Sequence, residues 1–234
     1  MMTVAILAGG LATRLRPLTG TIPKSLIPVN GEPFISVQLR LLKSRGIERV
    51  VLCLGYLSEK IQEFVGDGDA FGLKVDYSWD GPVQLGTAGA LRNALPLLGE
   101  AFFVVYGDSY LPCDYRAVEE FFIQSGRQGL MTVFRNEGRF DTSNVEFLEG
   151  TIRAYDKRAL TPRMRHIDYG LGAFHASVFA SLPPGPCDLA TVYQDLLRRG
   201  ELAGMEMPER FYETGSFEGI QELTAFLAGS GSLE

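Results

Sequence analysis

The chain is poor in the residues from which zinc centres and nucleophilic triads are made. Its 234 residues include two histidines, His166 and His175, and neither stands in a zinc or triad pattern. The three cysteines, Cys53, Cys113 and Cys187, are odd in number and lack metal-ligand spacing, which points to free thiols rather than disulfides or zinc. A surplus of positive charge is also missing. The formal net charge is −6, so the basic footprint of a nucleic-acid-binding protein is absent, although a local cationic pocket can still hold a nucleotide. No apolar run approaches the roughly 18 residues of a membrane-spanning helix. Met1-Met2-Thr3 carries no basic n-region or cleavage site, so a cytoplasmic protein without nucleic-acid or membrane partners is expected. Internal repeats, low-complexity linkers and charge blocks are lacking too.

What is present suits an α/β enzyme. A chain with 46% hydrophobic residues can bury a sizeable core. One domain over residues 1–228 is expected, with 229–234 as a loose tail. Thr3 to Leu7 reads as an apolar strand, Pro33 opens a helix that Gly46 ends, and Arg49 to Leu54 is a continuous apolar strand. Strands at Leu73 to Ser78 and Phe102 to Tyr106 flank a helix from Thr87 to Leu95. Buried strands separated by helices imply a parallel sheet covered on both faces. The second half reads as strands at Gly129 to Phe134, Asn144 to Leu148, Thr151 to Tyr155 and Tyr169 to His175. Glu149-Gly150 is a hairpin turn, and helices follow at Leu189 to Arg199 and Phe217 to Leu227.

The end of the first strand carries the strongest chemical signal. Leu7 and Ala8 run into Gly9-Gly10, then Thr13-Arg14-Leu15-Arg16-Pro17-Leu18-Thr19 and Pro23-Lys24. Adjacent glycines let backbone N–H groups approach a bulky anion. Arg14 and Lys24 add cations that neutralise charge developing in a transition state. The string resembles the motif of the sugar-1-phosphate nucleotidyltransferases, Gly-Gly-x-Gly-Thr-Arg-Leu-x-Pro-x-Thr followed by Pro-Lys, with Ala12 in place of the third glycine. It is not a Walker A sequence. The resemblance implies a Rossmann-like three-layer α/β/α fold, with a mixed, mostly parallel sheet and a β lobe for the sugar. It also implies nucleotide binding by Leu7, Ala8, Gly9, Gly10 and Thr13, with Arg14 and Lys24 catalytic.

Ligands of open α/β sheets lie outside the carboxyl ends of the strands. There Gly107-Asp108 is similar to the family's metal-binding Gly-Asp, and Tyr212-Glu213-Thr214-Gly215-Ser216 matches its later carboxylate segment with Glu in place of Asp. Asp108 and Glu213 are therefore the implied ligands of Mg²⁺ or Mn²⁺, a cation that takes one or two carboxylates plus phosphate oxygens. Gln84-Leu85-Gly86-Thr87-Ala88-Gly89 resembles the element that contacts base and ribose, which assigns Gln84, Gly86 and Thr87 to the nucleotide. Thr87 also reads as an ordinary helix N-cap. The Leu-Gly-Thr-Ala-Gly form is associated with members that use GTP and manno-configured sugars. By the same resemblance Glu146 binds sugar hydroxyls, Lys157 the sugar phosphate, and Tyr169 and Gly170 lie against the sugar ring.

The implied reaction is attack of a sugar 1-phosphate oxygen on the α-phosphorus of a nucleoside triphosphate, giving an NDP-sugar and pyrophosphate. The phosphate monoester has its second pKa near 6, so no general base is required; alignment and charge stabilisation remain. UTP, CTP or dTTP with another sugar or a phosphocholine-type phosphate is an alternative. So is a nucleotide-sugar-binding regulator without turnover, to which Ala12 and Glu213 draw attention. Both a monomer and a homo-oligomer stay open.

Overall fold

The computed structural model describes residues 1–10, 22–55 and 58–229. Thr13 and Arg14, with Ala12 and the rest of that loop, lie outside the described residues, as do residues 230–234. The first strand, β1 (Thr3–Leu7), is followed by a short hairpin of β2 (Pro28–Val29) and β3 (Glu32–Pro33). Then come α1 (Phe34–Ser44), β4 (Arg49–Leu54), α2 (Ser58–Val65), β5 (Lys74–Trp79), α3 (Gly86–Leu98), β6 (Ala101–Tyr106), β7 (Ser109–Tyr110) and α4 (Tyr115–Ser125). The second half runs β8 (Gly129–Arg135), β9 (Val145–Leu148), β10 (Thr151–Tyr155), β11 (His166–His175), α5 (Ser177–Ala180), α6 (Leu189–Arg198), β12 (Leu202–Met207), β13 (Tyr212–Glu213) and α7 (Phe217–Gly229).

Among the described residues nine strands form one sheet, with β6, β1, β4 and β5 adjacent and parallel. The long β11 joins this parallel core to the second half: it pairs antiparallel with β6 on one edge and with β8 on the other. β12 extends the sheet beyond β8. The β9–β10 hairpin attaches at the start of β11 through His166 and Val145.

Strand alternation divides the core into two layers. Val4 and Ile6 of β1 face one side, with Ile35, Leu39 and Leu42 of α1 and Val118 and Phe122 of α4. Ala5 faces the other, with Ala88, Leu91 and Ala94 of α3, Phe179 of α5 and Leu196 of α6. The arrangement is the expected α/β/α sandwich with a mixed, mostly parallel sheet. A third apolar group, including Val37 and Leu41 of α1, Tyr110 of β7 and Leu223 of α7, seats the last helix beside the strand ends.

Helix α4 and strand β12 are the longest of the elements that went unread in the sequence. Helix α4 is capped by Asp114, whose carboxylate accepts the N–H groups of Arg116 and Ala117 at 2.9 and 3.1 Å, and ends at left-handed Gly126. Strand β12 carries Gly204, which normally weakens a strand. Here a Cβ would stand 2.8 Å from the side chains of Ile152 and Phe147, so the glycine lets the β9–β10 hairpin lie down on β12. Helix α3 also runs past Pro96 to Leu98, whose burial holds the last turn against the sheet. Among the described residues no helix is long and apolar enough to cross a membrane.

The carboxyl ends of β1 and β4 touch backbone to backbone. A Cβ on Gly55 would stand 2.9 Å from the Gly9 oxygen and 3.2 Å from its Cα, whereas one on Gly10 would meet nothing within 4 Å among the described residues. Gly55→Ala should therefore cost about 1–3 kcal/mol as an overpacking change. Thermal denaturation should show a fall of roughly 2–10 °C for Gly55→Ala, with Gly10→Ala within about 2 °C of the wild type.

Candidate functional site

Three strand ends converge to build the site. The Ala8 N–H donates to the Cys53 oxygen at 2.9 Å and the Gly107 N–H to the Leu7 oxygen at 3.0 Å, so the ends of β1, β4 and β6 are stitched into one ledge. A Cβ on Gly107 would stand 2.9 Å from the Leu7 oxygen, so the turn into Asp108 can run this close only with glycine. Above the ledge opens a cavity of about 290 Å³ lined by Leu7, Ala8, Gly9 and Gly10, by Gln84, Gly86 and Thr87, and by Lys24 and Asp108. The structure thus gathers in one place every residue assigned to the nucleotide that lies within the described residues.

The start of α3 is fixed from outside the helix. Gly86 has φ +70°, a left-handed value, and a Cβ there would stand 2.6 Å from the Cys187 oxygen. That same oxygen accepts the N–H groups of Ala88 and Gly89, satisfying the first turn. Thr87 does not cap its own helix: its hydroxyl accepts the Leu189 N–H at 2.7 Å and reaches Asp188, tying α3 to the start of α6. At the far wall stands Asp80, a residue the sequence reading passed over. Its carboxylate accepts the Leu85 N–H at 3.2 Å, and burial raises its pKa. Burial, with Asp80 adding to it, pushes the Cys53 thiol up to about 12, so this cysteine is not a nucleophile at neutral pH.

A second cavity, of about 520 Å³, adjoins the first and shares Lys24, Tyr106 and Asp108 with it. Its walls include Asp141, Thr142, Asn144, Lys157, Asp168, Tyr169, Gly170 and Glu213. The ammonium of Lys157 sits over the Tyr106 ring, 5.4 Å from its centroid. Tyr169 borders the cavity, but its ring packs edge-on against Phe211 within the core. The chemically active neighbour is Asp168. The register of β11 against β8 shifts between Asp168 and Gly172, and Gly170 has φ +100°. At this irregularity the Asp168 carboxylate accepts the Gly170 N–H at 3.1 Å, and Tyr155 approaches it at 3.5 Å. Burial raises the Asp168 pKa, opposed by Lys157 and the Gly170 N–H. A carboxylate so thinly satisfied is an acceptor in want of donors. Glu146 is not brought to either cavity wall; its carboxylate takes the Arg163 guanidinium at 3.1 Å.

At the seam between the cavities Lys24 forms an ion pair with Asp108. Glu213 flanks the same ammonium: a Cβ on Gly215 would overlap the Glu213 Oε2 and stand 2.9 Å from the Lys24 Nζ. Pairing of β13 with β7 places Glu213 opposite Ser109, the neighbour of Asp108. The Glu213 carboxylate also accepts the Gly215 N–H at 2.6 Å and the Ser216 hydroxyl at 2.9 Å. Asp108, paired with Lys24, and the neighbouring Glu213 form a donor set suited to a hard divalent ion completed by phosphate oxygens. Among the described residues no cluster of three or more His, Cys, Asp or Glu forms a self-sufficient metal cage.

Comparison with known proteins places the chain among relatives of the same fold. N-acetylmuramate alpha-1-phosphate uridylyltransferase of Neisseria meningitidis is 42% identical over 117 residues, 50% of this chain and 51% of that protein. D-glycero-alpha-D-manno-heptose 1-phosphate guanylyltransferase of Campylobacter jejuni is 36% identical over 113 residues, 48% of this chain and 50% of that protein. The chain thus spans about half the length of these two relatives in the matched region. Among solved structures, HddC from Yersinia pseudotuberculosis complexed with GMP-PN superposes with a TM-score of 0.82 at 23% identity, covering 97% of this chain and 100% of that one, a likeness of fold. Residues 3–143 match the family described as nucleotidyl transferase, and the chain belongs to that family.

Proposed function

We propose that the protein transfers a nucleotidyl group from a nucleoside triphosphate to a sugar 1-phosphate, releasing pyrophosphate. The observation that carries this reading is the meeting of two cavities at one cation and one carboxylate, Lys24 and Asp108. The smaller cavity takes the nucleotide, with the backbone of Gly9 and Gly10 toward the triphosphate and Gln84, Gly86 and Thr87 toward base and ribose. The larger takes the acceptor, with Lys157 holding its phosphate. A phosphate oxygen of the acceptor attacks the α-phosphorus, the bond from that phosphorus to the bridging oxygen breaks, and pyrophosphate leaves with the electron pair. Lys24 and Arg14 neutralise the charge that builds up on the triphosphate. Asp108 and Glu213 would hold Mg²⁺ or Mn²⁺, which supplies further neutralisation at the phosphates when bound.

The Leu-Gly-Thr-Ala-Gly segment supports GTP, and the guanylyltransferase similarity supports a manno-configured acceptor. Similarity to a uridylyltransferase supports UTP as the rival donor. On the acceptor side, Asp141, Thr142, Asn144 and Asp168 line the same cavity as Lys157. This set offers acceptors to hydroxyl groups and gives no counter-charge to a second anion, which favours a neutral sugar. The engagement of Glu213 by Gly215 and Ser216 favours a second reading, a nucleotide-sugar-binding protein without turnover.

Pyrophosphate release by the purified protein, assayed with GTP or UTP against mannose, glucose and heptose 1-phosphates, separates the two readings. Release should require Mg²⁺ or Mn²⁺. Asp108→Asn preserves shape and removes charge, so it should lose about 100-fold or more in turnover. Absence of release with every pair, or full activity in excess chelator, would contradict the transfer or metal assignment respectively.

Asp168 should show opposite effects on stability and activity. Its folded pKa lies above the unfolded value near 3.8, so the folded state retains the proton longer. The contribution of this group to stability therefore falls as pH rises through the window from that value to the folded pKa, and stays low above it. Asp168→Asn removes the buried charge and keeps an oxygen for the Gly170 N–H. Thermal melts should show the variant gaining on the wild type as pH rises from about 4 to 7. Its kcat/KM for sugar 1-phosphate should fall roughly 10-fold or more, the scale of losing a hydrogen bond to a charged group.

A further inference from the structure

Helix α1 holds one polar side chain that serves neither the helix nor the solvent. Gln38 is 2% exposed, and its neighbours Val37, Leu39, Leu41 and Leu42 are apolar and buried. Its Nε2 donates to the Tyr106 oxygen at 2.9 Å and to the Ser109 oxygen at 2.8 Å. Both partners are carbonyls, so the amide can be oriented in only one way. Those carbonyls belong to the first and last residues of the turn Tyr106-Gly107-Asp108-Ser109. One rigid NH₂ group thus spans the turn that carries Asp108.

The rest of that turn is held by other elements. The Gly107 N–H donates to the Leu7 oxygen of β1 at 3.0 Å. The Asp108 oxygen accepts the N–H of fully buried Thr214 at 2.8 Å and its hydroxyl at 3.3 Å. Gln38 is the sole side chain among the described residues hydrogen-bonded to carbonyls on both sides of Asp108. Without its amide, two carbonyls flanking Asp108 lose the donor that spans them, and the turn loses that restraint. Movement there shifts the Asp108 carboxylate relative to Lys24 and Glu213.

Resting on the nucleotidyl-transfer reading, we infer that Gln38 is a positioning residue that fixes the Asp108 carboxylate for cation binding and for turnover, without touching either substrate. Residues that orient a metal ligand through a hydrogen bond typically change affinity or activity 10–100-fold when altered. The same range is expected here, because Gln38 acts through the peptide units flanking the ligand.

The test compares Gln38→Met, which keeps length and apolar volume but has no donor, with Gln38→His, which keeps one N–H, and with Asp108→Asn. Two quantities are measured: binding of Mn²⁺ alone by calorimetric titration, and steady-state kinetics against both substrates. Gln38→Met should weaken Mn²⁺ binding and lower kcat about 10–100-fold, with a smaller change in KM for the sugar 1-phosphate, whose cavity also has walls outside this turn, Lys157 and Asp168 among them. Gln38→His should fall between. If Gln38→Met fails to fold, Gln38→His decides: weakened Mn²⁺ binding supports the proposal and wild-type binding overturns it. A folded Gln38→Met with wild-type kcat and Mn²⁺ affinity, set against an Asp108→Asn that has lost both, overturns the role of Gln38 alone. Asp108→Asn indistinguishable from wild type in both measurements overturns the metal assignment of Asp108 and this proposal with it.

Discussion

The contact between Lys24 and Asp108 is the constraint on which the site depends. Lys24 opens a short helical turn that lies outside the sheet, whereas Asp108 stands at the tip of β6. Their ion pair closes the boundary between the two cavities, and each partner needs a glycine to get there. Gly107 lets the β6 turn pass over the end of β1, and Gly215 leaves room for the ammonium beside Glu213. A polyphosphate entering this seam would find a cation already balanced by the Asp108 carboxylate. Exchange of ion-pair partners then replaces the creation of new buried charge, and that is electrostatically the less demanding event.

Much of the site was legible because its glycines and charges occupy fixed places relative to apolar strands. Thr3 to Leu7 and Phe102 to Tyr106 read as buried strands, which made Gly9, Gly10 and Asp108 strand-end residues before any coordinates. The residues that escaped owe their roles to long-range pairing. Asp168 lies within a strand where its environment depends on a register shift between β11 and β8 that no local pattern encodes. Gln38 sits in the apolar stripe of α1 and reads as an interruption until β6 and β7 are laid against it. Glu146 illustrates the converse. The family resemblance implied a hydroxyl-binding carboxylate there, but Arg163 engages it at the surface. Helix α4 was legible in principle, since Asp114 and Gly126 mark its ends; β12 was not, because Gly204 is explained only by the hairpin packed on it.

The cleft also concentrates groups that oppose folding. Asp80 and Asp168 have pKa values raised by burial, and the Asp168 carboxylate sits among Tyr106, Tyr155 and Tyr193, whose phenols are likewise pushed up. The two carboxylates weaken the native state at neutral pH unless a ligand supplies donors, whereas the phenols stay protonated whether the chain is folded or unfolded. Elsewhere the core is apolar, with the two faces of β1 filled by Val4 and Ile6 on one side and Ala5 on the other. The raised carboxylates Asp80 and Asp168 both line the cavities, where bound substrate can supply donors to them.

Phosphorus-31 NMR of the purified protein with Mg²⁺, GTP and mannose 1-phosphate tests nucleotidyl transfer most directly, with UTP and glucose or heptose 1-phosphate as parallel samples. Transfer predicts loss of the triphosphate and monoester resonances in equal amounts, with growth of the coupled pair of a diphosphate diester and of inorganic pyrophosphate. Unchanged spectra in every sample, or orthophosphate and nucleoside diphosphate without consumption of the sugar phosphate, would contradict it.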